Sequence, residues 1–395
     1  MAHRPERGWG RDVGTAVGLL CAAAALMACP AQAMEGARSG LALCGEVIIP
    51  SLFPFFILSS LVVELGLAGQ LGRALEPVMG PLFGLNGACA SAVALGLIGG
   101  YPVGARTALG LYENGLCTRR EAERLLAFCN NSGPAFVLGV VGAGIFSSAR
   151  VGLLLYGLHI LSALCVGVAF RLVCGRADQG GGHAGRRPVF QARHLTAAFT
   201  ESVKQSLQAM LNICAFVVCF NVILRLLTVT GVLTGAGRLL RVLLGPLGMD
   251  GVWAQRLLTG ALEISSGVWT LSGGGAAGPR MVMASLILGW AGLSVHCQVL
   301  SLLGGSGLST RPYLLGKGLH ALCAAGFTAA AVSLLPVEQP AWSAVTGGGA
   351  FLLSVEPGSL WMCSIGTAGG IFLLLFLLSA GKTRKKPVHT GESVL

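Results

Sequence analysis

The sequence predicts an all-α polytopic membrane protein made of two inverted repeats, each with a re-entrant helical hairpin and a broken helix, giving about eight spans plus two hairpins. Three observations predict it. Of the 395 residues, 54% are hydrophobic and only 11% are charged, a balance foreign to one water-soluble core. Apolar windows at 151–174, 208–224, 281–303 and 360–380 approach or exceed the length of about 20 residues that a bilayer-spanning helix needs. Glycine-centred motifs of the first half return in the second at nearly constant spacing, the mark of an internal repeat.

In chain order, the start imitates a secretory signal. His3, Arg4 and Arg7 precede an apolar stretch from Val13 to Met27, and Ala31-Gln32-Ala33 offers a small-residue cleavage site. Because further spans follow, a retained first span over 11–33 is preferred to cleavage. The other spans are expected near 43–67, 122–147, 151–173, 208–231, 281–303, 313–335 and 358–380. The resulting organisation is an N-terminal span or signal-anchor (1–35), a first repeat (36–173), a basic linker with an amphipathic lead-in (174–202), a second repeat (203–335), and a loop, last span and basic tail (336–395).

Two apolar stretches differ from the spans. Residues 91–111 are interrupted by Gly99-Gly100-Tyr101-Pro102, and residues 254–271 by Glu263 with Ser265, Ser266 and Gly267. Such residues break helices or carry polarity in mid-segment, so both stretches read as re-entrant hairpins. Irregular backbone at membrane depth is tolerated only where protein or a water-filled cavity covers it, so two breaks point to a cavity. The repeat register supports the pairing. Gly72-Arg73 matches Gly237-Arg238, Gly80-Pro81 matches Gly245-Pro246, Gly87 matches Gly251, Gly104 matches Gly267 and Asn131 matches Ser294, at separations of 163 to 165 residues.

Clusters of Lys and Arg at Arg4/Arg7/Arg11, Arg119/Arg120/Arg124, Arg171 to Arg193 and Lys382 to Lys386 all belong on the cytoplasmic side. Eight spans with both termini inside satisfy them, open the first hairpin to the cytoplasm and the second to the far side, and so invert the repeats. Arg238, Arg241 and Arg280 then fall outside, against the rule. The net charge of +11 resides in these loops and tails, with none of the basic and aromatic interleaving of a nucleic-acid binder. The 13 cysteines lie mostly in apolar runs without a C-x-x-C pair and read as packing residues. Gly273 to Gly278 satisfies G-x-G-x-x-G, but no strand precedes it and Pro279 follows, so it reads as a loop. Phosphate-loop, zinc-protease and serine-hydrolase motifs are absent, so nothing marks an enzyme and no cofactor is implied.

Paired broken segments are where secondary transporters hold cargo and coupling ion at mid-membrane. The candidate binding groups of the first repeat are Tyr101 and Arg106 in the hairpin and Asn130, Asn131 and Ser132 before Gly133-Pro134. Those of the second are Glu263, Ser265 and Ser266, then Ser294, His296 and Gln298. Several have a plainer reading. Asn130, Asn131 and Ser132 could bond between helices, and Glu263 could be hydrated or paired to Arg256. His296 could be a packing residue, and Arg106 could snorkel to the interface. An acidic group at a helix centre costs about 2.5 to 3.5 kcal/mol on insertion scales, which makes Glu263 the foremost candidate. A proton or sodium ion stays open as the coupling ion.

Pro50-Ser51-Leu52-Phe53-Pro54-Phe55-Phe56, Gly99-Gly100-Tyr101-Pro102-Val103-Gly104-Ala105-Arg106, Glu121-Ala122-Glu123-Arg124-Leu125-Leu126 and Asn130-Asn131-Ser132-Gly133-Pro134-Ala135-Phe136 resemble the sporulation integral membrane protein YlbJ family. Gly260 to Gly267 and Gly289 to Gln298 look like its second repeat. That resemblance implies a nucleoside-recognition Gate domain, similar to the hairpin-and-helix repeats of concentrative nucleoside transporters. It also implies a place in the membrane between mother cell and forespore and a link to supplying dipicolinic acid. The first repeat has Gly100 at the register position of Glu263, so a nucleoside site with carboxylates from both hairpins is doubtful and an anionic aromatic dicarboxylate fits better. The expectation is therefore a carrier of a small organic anion embedded in the lipid bilayer, with no nucleic acid among its partners. A nucleoside or nucleobase carrier and a non-transporting scaffold of a sporulation complex are the alternatives. Homo-oligomers and sporulation membrane partners stay open.

Overall fold

A computed structural model describes residues 9–65, 77–175, 195–273 and 275–334. All regular structure among them is helical. The chain begins with α1 (Trp9–Ala28) and α2 (Pro30–Leu43), the latter running through a π-turn at Cys44–Ile48 into α3 (Ile49–Glu64). The sequence suggests one continuous span over 11–33, but the chain bends by 96° between Ala28 and Pro30. Pro30 cannot donate to the preceding turn, and Cys29 before it leaves the helical region at φ −127°, ψ 53°.

A helical hairpin follows, α4 (Ala90–Gly99) and α5 (Val103–Glu113), joined at Gly100 to Pro102. Next come α6 (Arg119–Cys129), an extended break at 130–134, a π-wound α7 (Ala135–Ile145) and α8 (Ala149–Cys174). The second half holds α9 (Leu195–Val229) and α10 (Val232–Leu244). Its own hairpin is α11 (Gly251–Leu262) and α12 (Ile264–Trp269), followed by α13 (Ala277–Trp290), α14 (Gly292–Leu303) and α15 (Arg311–Leu334). Both broken helices expected from the sequence are present. The first breaks at Asn130 to Pro134, and the second at Ala291 and Gly292, both with φ +78°.

Among the described residues, four helices are long and apolar enough to cross a bilayer: Ala149–Cys174, Leu195–Val229, Ala277–Leu303 and Arg311–Leu334. The bent pair around Cys29 makes a fifth if counted as one span. This is fewer than the eight expected spans for local reasons. The 122–147 stretch is divided into two short helices by its polar break, α3 covers only part of 43–67, and 358–380 lies outside the described residues.

Each hairpin closes on a pair of glycines. A Cβ added to Gly96 would stand 3.1 Å from the Gly104 Cα, and one on Gly267 would stand 2.2 Å from the Gly260 Cα. Each tip also presses on the broken helix of its own half. A Cβ on Gly100 would lie 2.8 Å from the Gly133 amide nitrogen, and one on Gly292 would lie 2.9 Å from that of Ile264. Backbone packing this close, which only glycine allows, holds both tips against both breaks.

Polar contacts sort the loops into two ends. Arg124 donates to the Gly175 and Cys174 carbonyls at 2.7 Å each, and Glu123 Oε1 accepts from the Ser309 amide at 2.8 Å. The start of α6, the end of α8 and the α14–α15 loop therefore share one end. Arg280 donates to the Leu271 carbonyl at 2.7 Å and to the Ile145 carbonyl at 3.4 Å, joining the end of α7 to the loop after α12.

Candidate functional site

The hairpin tips, the first helix break and the start of α14 meet around one cavity. Gly99 to Tyr101 and Ser132–Gly133 line it from the first half, and Glu263 to Ser265, Ser294 and Gln298 from the second. Leu52 and Phe56 of α3 and Ile213 and Val217 of α9 complete its apolar wall. It holds about 650 Å³ of empty space, open solvent at its mouth included.

Six of the expected residues converge on it: Tyr101, Ser132, Glu263, Ser265, Ser294 and Gln298. Glu263 is fully buried and caps α12. Its Oε1 accepts from the Ser265 amide at 3.0 Å and its Oε2 from the Ser266 amide at 2.6 Å. Four amide groups are orphaned at any helix start, and a carboxylate there is favoured by the helix dipole. Pairing with Arg256 does not occur; that side chain lies over the Trp253 ring, 4.7 Å from its centroid.

The break in the first half is rich in polar atoms without partners. Asn130, Asn131 and Ser132 are each 1% exposed. Asn131 Nδ2 donates to the Phe128 carbonyl at 2.8 Å, and the Ser132 amide donates to His159 Nε2 at 3.1 Å. Asn130 Nδ2, Asn131 Oδ1, Ser132 Oγ and His159 Nδ1 have no partner. Buried polar atoms are nearly always satisfied by protein or water, so this set is equipped for water or a bound polar group.

Five expected residues stand apart from the cavity lining. Asn130 and Asn131 sit behind it in the break, and Ser266 Oγ donates to Asn221 Oδ1 at 3.2 Å. His296 Nδ1 lies 2.9 Å from the Tyr313 hydroxyl and its ring makes a T-shaped contact with Trp290, while its buried Nε2 has no partner. Arg106 lies on the exposed face of α5 and does not reach the cavity, because the register of that helix turns it away from the tip.

The sequence reading passed over Lys317, His320 and His159. Lys317 is 1% exposed, and its Nζ donates to the Tyr101 hydroxyl at 2.8 Å, to the Asn130 carbonyl at 3.2 Å and to His320 Nδ1 at 3.3 Å. Its signal was a Lys-x-x-His pair inside the apolar 313–335 stretch, since an intramembrane cation marks a functional site by default.

The matches to known proteins fall on this architecture. Residues 46–149, from α3 through the first hairpin and broken helix, match the Gate family, described as nucleoside recognition. The chain is 32% identical over 324 residues to the sporulation integral membrane protein YlbJ of Bacillus subtilis (strain 168), covering 75% of this chain and 77% of the relative. The chain belongs to the YlbJ family of sporulation integral membrane proteins. No solved structure matches it significantly. As a YlbJ-family member it is an integral membrane protein, and its Gate segment supplies Gly99 to Tyr101 and Ser132 of the cavity.

Proposed function

We propose that this protein is a secondary transporter or facilitator of a small organic anion, dipicolinate foremost, acting during sporulation across the membrane between mother cell and forespore. The observation that carries the reading is the cavity lined by both hairpin tips, the first helix break and the start of α14 just past the second break, with unpartnered polar atoms at the first break. That is the construction by which broken-helix carriers hold cargo between repeats. Phe56 and Phe136 suit an aromatic ring, and the buried cation Lys317 reaches the cavity through Tyr101. The carboxylate of Glu263 is already engaged by the start of α12, which lessens its repulsion of an anion.

In this reading the halves are inverted repeats, with eight spans, both termini cytoplasmic, and re-entrant hairpins entering from opposite sides. The matching glycine closures and the two ends defined by Arg124 and Arg280 support it. The Gate match supports a second cargo class, nucleosides, at the same cavity.

The test is uptake of labelled dipicolinate and, separately, uridine into proteoliposomes carrying the wild-type protein or Glu263→Gln. Dipicolinate flux that falls by about tenfold in Glu263→Gln, equivalent to about 1.4 kcal/mol, is the expected result. Uridine flux without dipicolinate flux selects the nucleoside reading. Flux of neither compound selects a non-transporting scaffold.

A further inference from the structure

We propose that Lys317 is a built-in cation: its ammonium occupies the position at the first helix break where a carrier's coupling ion would bind, and it is the counter-charge for an anionic cargo. Each of its three N–H groups has one acceptor: the Tyr101 hydroxyl, the Asn130 carbonyl and His320 Nδ1. Three acceptors around one nitrogen match the donor count of a protonated lysine. The directions agree. The Tyr101 hydroxyl gives its own proton to the Leu288 carbonyl at 3.1 Å and is free to accept. His320 Nε2 lies 3.0 Å from the His159 carbonyl, which can only accept, so the proton sits on Nε2 and Nδ1 offers its lone pair.

The partners of this ammonium are therefore neutral, and among the described residues no carboxylate stands within ion-pair distance of it. His159 Nε2 accepts from the Ser132 amide, so that ring is held neutral as well. A buried, uncompensated charge is costly. Charge-assisted hydrogen bonds offset part of that cost, and an anion in the cavity would offset more. The path is short, because the Tyr101 ring lies 5.0 Å from Lys317 Nζ and itself lines the cavity.

The position of the ammonium identifies what it replaces. Asn130 caps the C-terminal end of α6, where the break frees its carbonyl. Such half-helix ends carry partial negative charge and hold sodium ions or protons in broken-helix carriers. Lys317 already takes that carbonyl, so a free sodium ion has no place there. The cargo part of the inference rests on the anion-carrier reading; the ion part does not.

The experiment uses the full chain in detergent, with thermal midpoints measured in sodium, potassium and choline chloride at equal ionic strength. The wild-type midpoint is expected to be the same in all three. Lys317→Ala is expected to melt lower and to recover at least half of the loss in methylammonium or sodium chloride. A sodium-selective rise in the wild type overturns the proposal, as does a Lys317→Ala protein that no cation rescues. Should Lys317→Ala fail to fold, Lys317→Met, which keeps the stem and removes the charge, is reconstituted instead. A loss of anion flux of about tenfold or more is expected of it, and full flux overturns the proposal. A wild type without any anion flux refutes the carrier reading, while the salt response of the midpoints still judges the ion site.

Discussion

Glu121 and Glu263 are two buried carboxylates of equal exposure that differ in placement. Both are fully buried. Glu121 accepts from the Asn86 amide and Nδ2 at 2.8 Å each, and from the Thr118 amide and hydroxyl at 2.9 and 3.1 Å, closing a capping box at the start of α6. All of its partners are protein groups, and it does not line the cavity. Glu263 uses the same capping chemistry at a hairpin tip that faces the cavity. Glu121→Gln puts an amide donor where only donors point, at a cost of about 1–3 kcal/mol. It should lower the thermal midpoint and leave cargo affinity unchanged. Glu263→Gln should lower both, as read by calorimetry and cargo titration; equal affinity in wild type and Glu263→Gln would remove that residue from the site.

At the scale of elements, the hairpins depend on glycine where two backbones touch. A methyl group at Gly267 would meet the Gly260 Cα at 2.2 Å, and one at Gly96 would meet the Cys129 carbonyl oxygen at 1.7 Å. Both obstacles are backbone, which cannot swing aside, so the second hairpin must spread and the first must move off the end of α6. Overpacking of this kind costs about 1–3 kcal/mol or more. Gly267→Ala and Gly96→Ala should each lower the midpoint and open the cavity, whereas Gly110→Ala, with nothing within 4 Å of its added carbon, should behave as wild type. Unchanged midpoints for the first two would refute the close contacts. The hairpins were legible in the sequence because Gly100, Pro102 and Glu263 interrupt apolar runs. The bend at Cys29 was not legible, because hydropathy averages across Pro30, which is tolerated both inside a span and at the first turn of a new helix.

For the whole molecule, the contacts of Arg124 and Glu123 define one end, and those of Arg280 the other. The sequence reading assigns the first to the cytoplasm through its basic clusters. In a background without reactive cysteines, Arg119→Cys and Ser272→Cys should be labelled by a membrane-impermeant maleimide from opposite sides. Labelling of both from one side would sink the eight-span inverted arrangement.

What the sequence determined by itself was the solvent and the plan. Apolar windows place the chain in lipid, and residues that cannot continue a helix fall where the hairpins turn and the helices break. These are local properties of composition and backbone, readable in one dimension. Only the tertiary structure decided which polar side chains share the cavity. His296 turned to Tyr313, Arg106 turned outward, and Lys317, 187 residues along the chain from Asn130, came to rest on the Asn130 carbonyl. The reason is geometric: a span shows which residues it carries, but the face that each one presents is set by the helices packed around it.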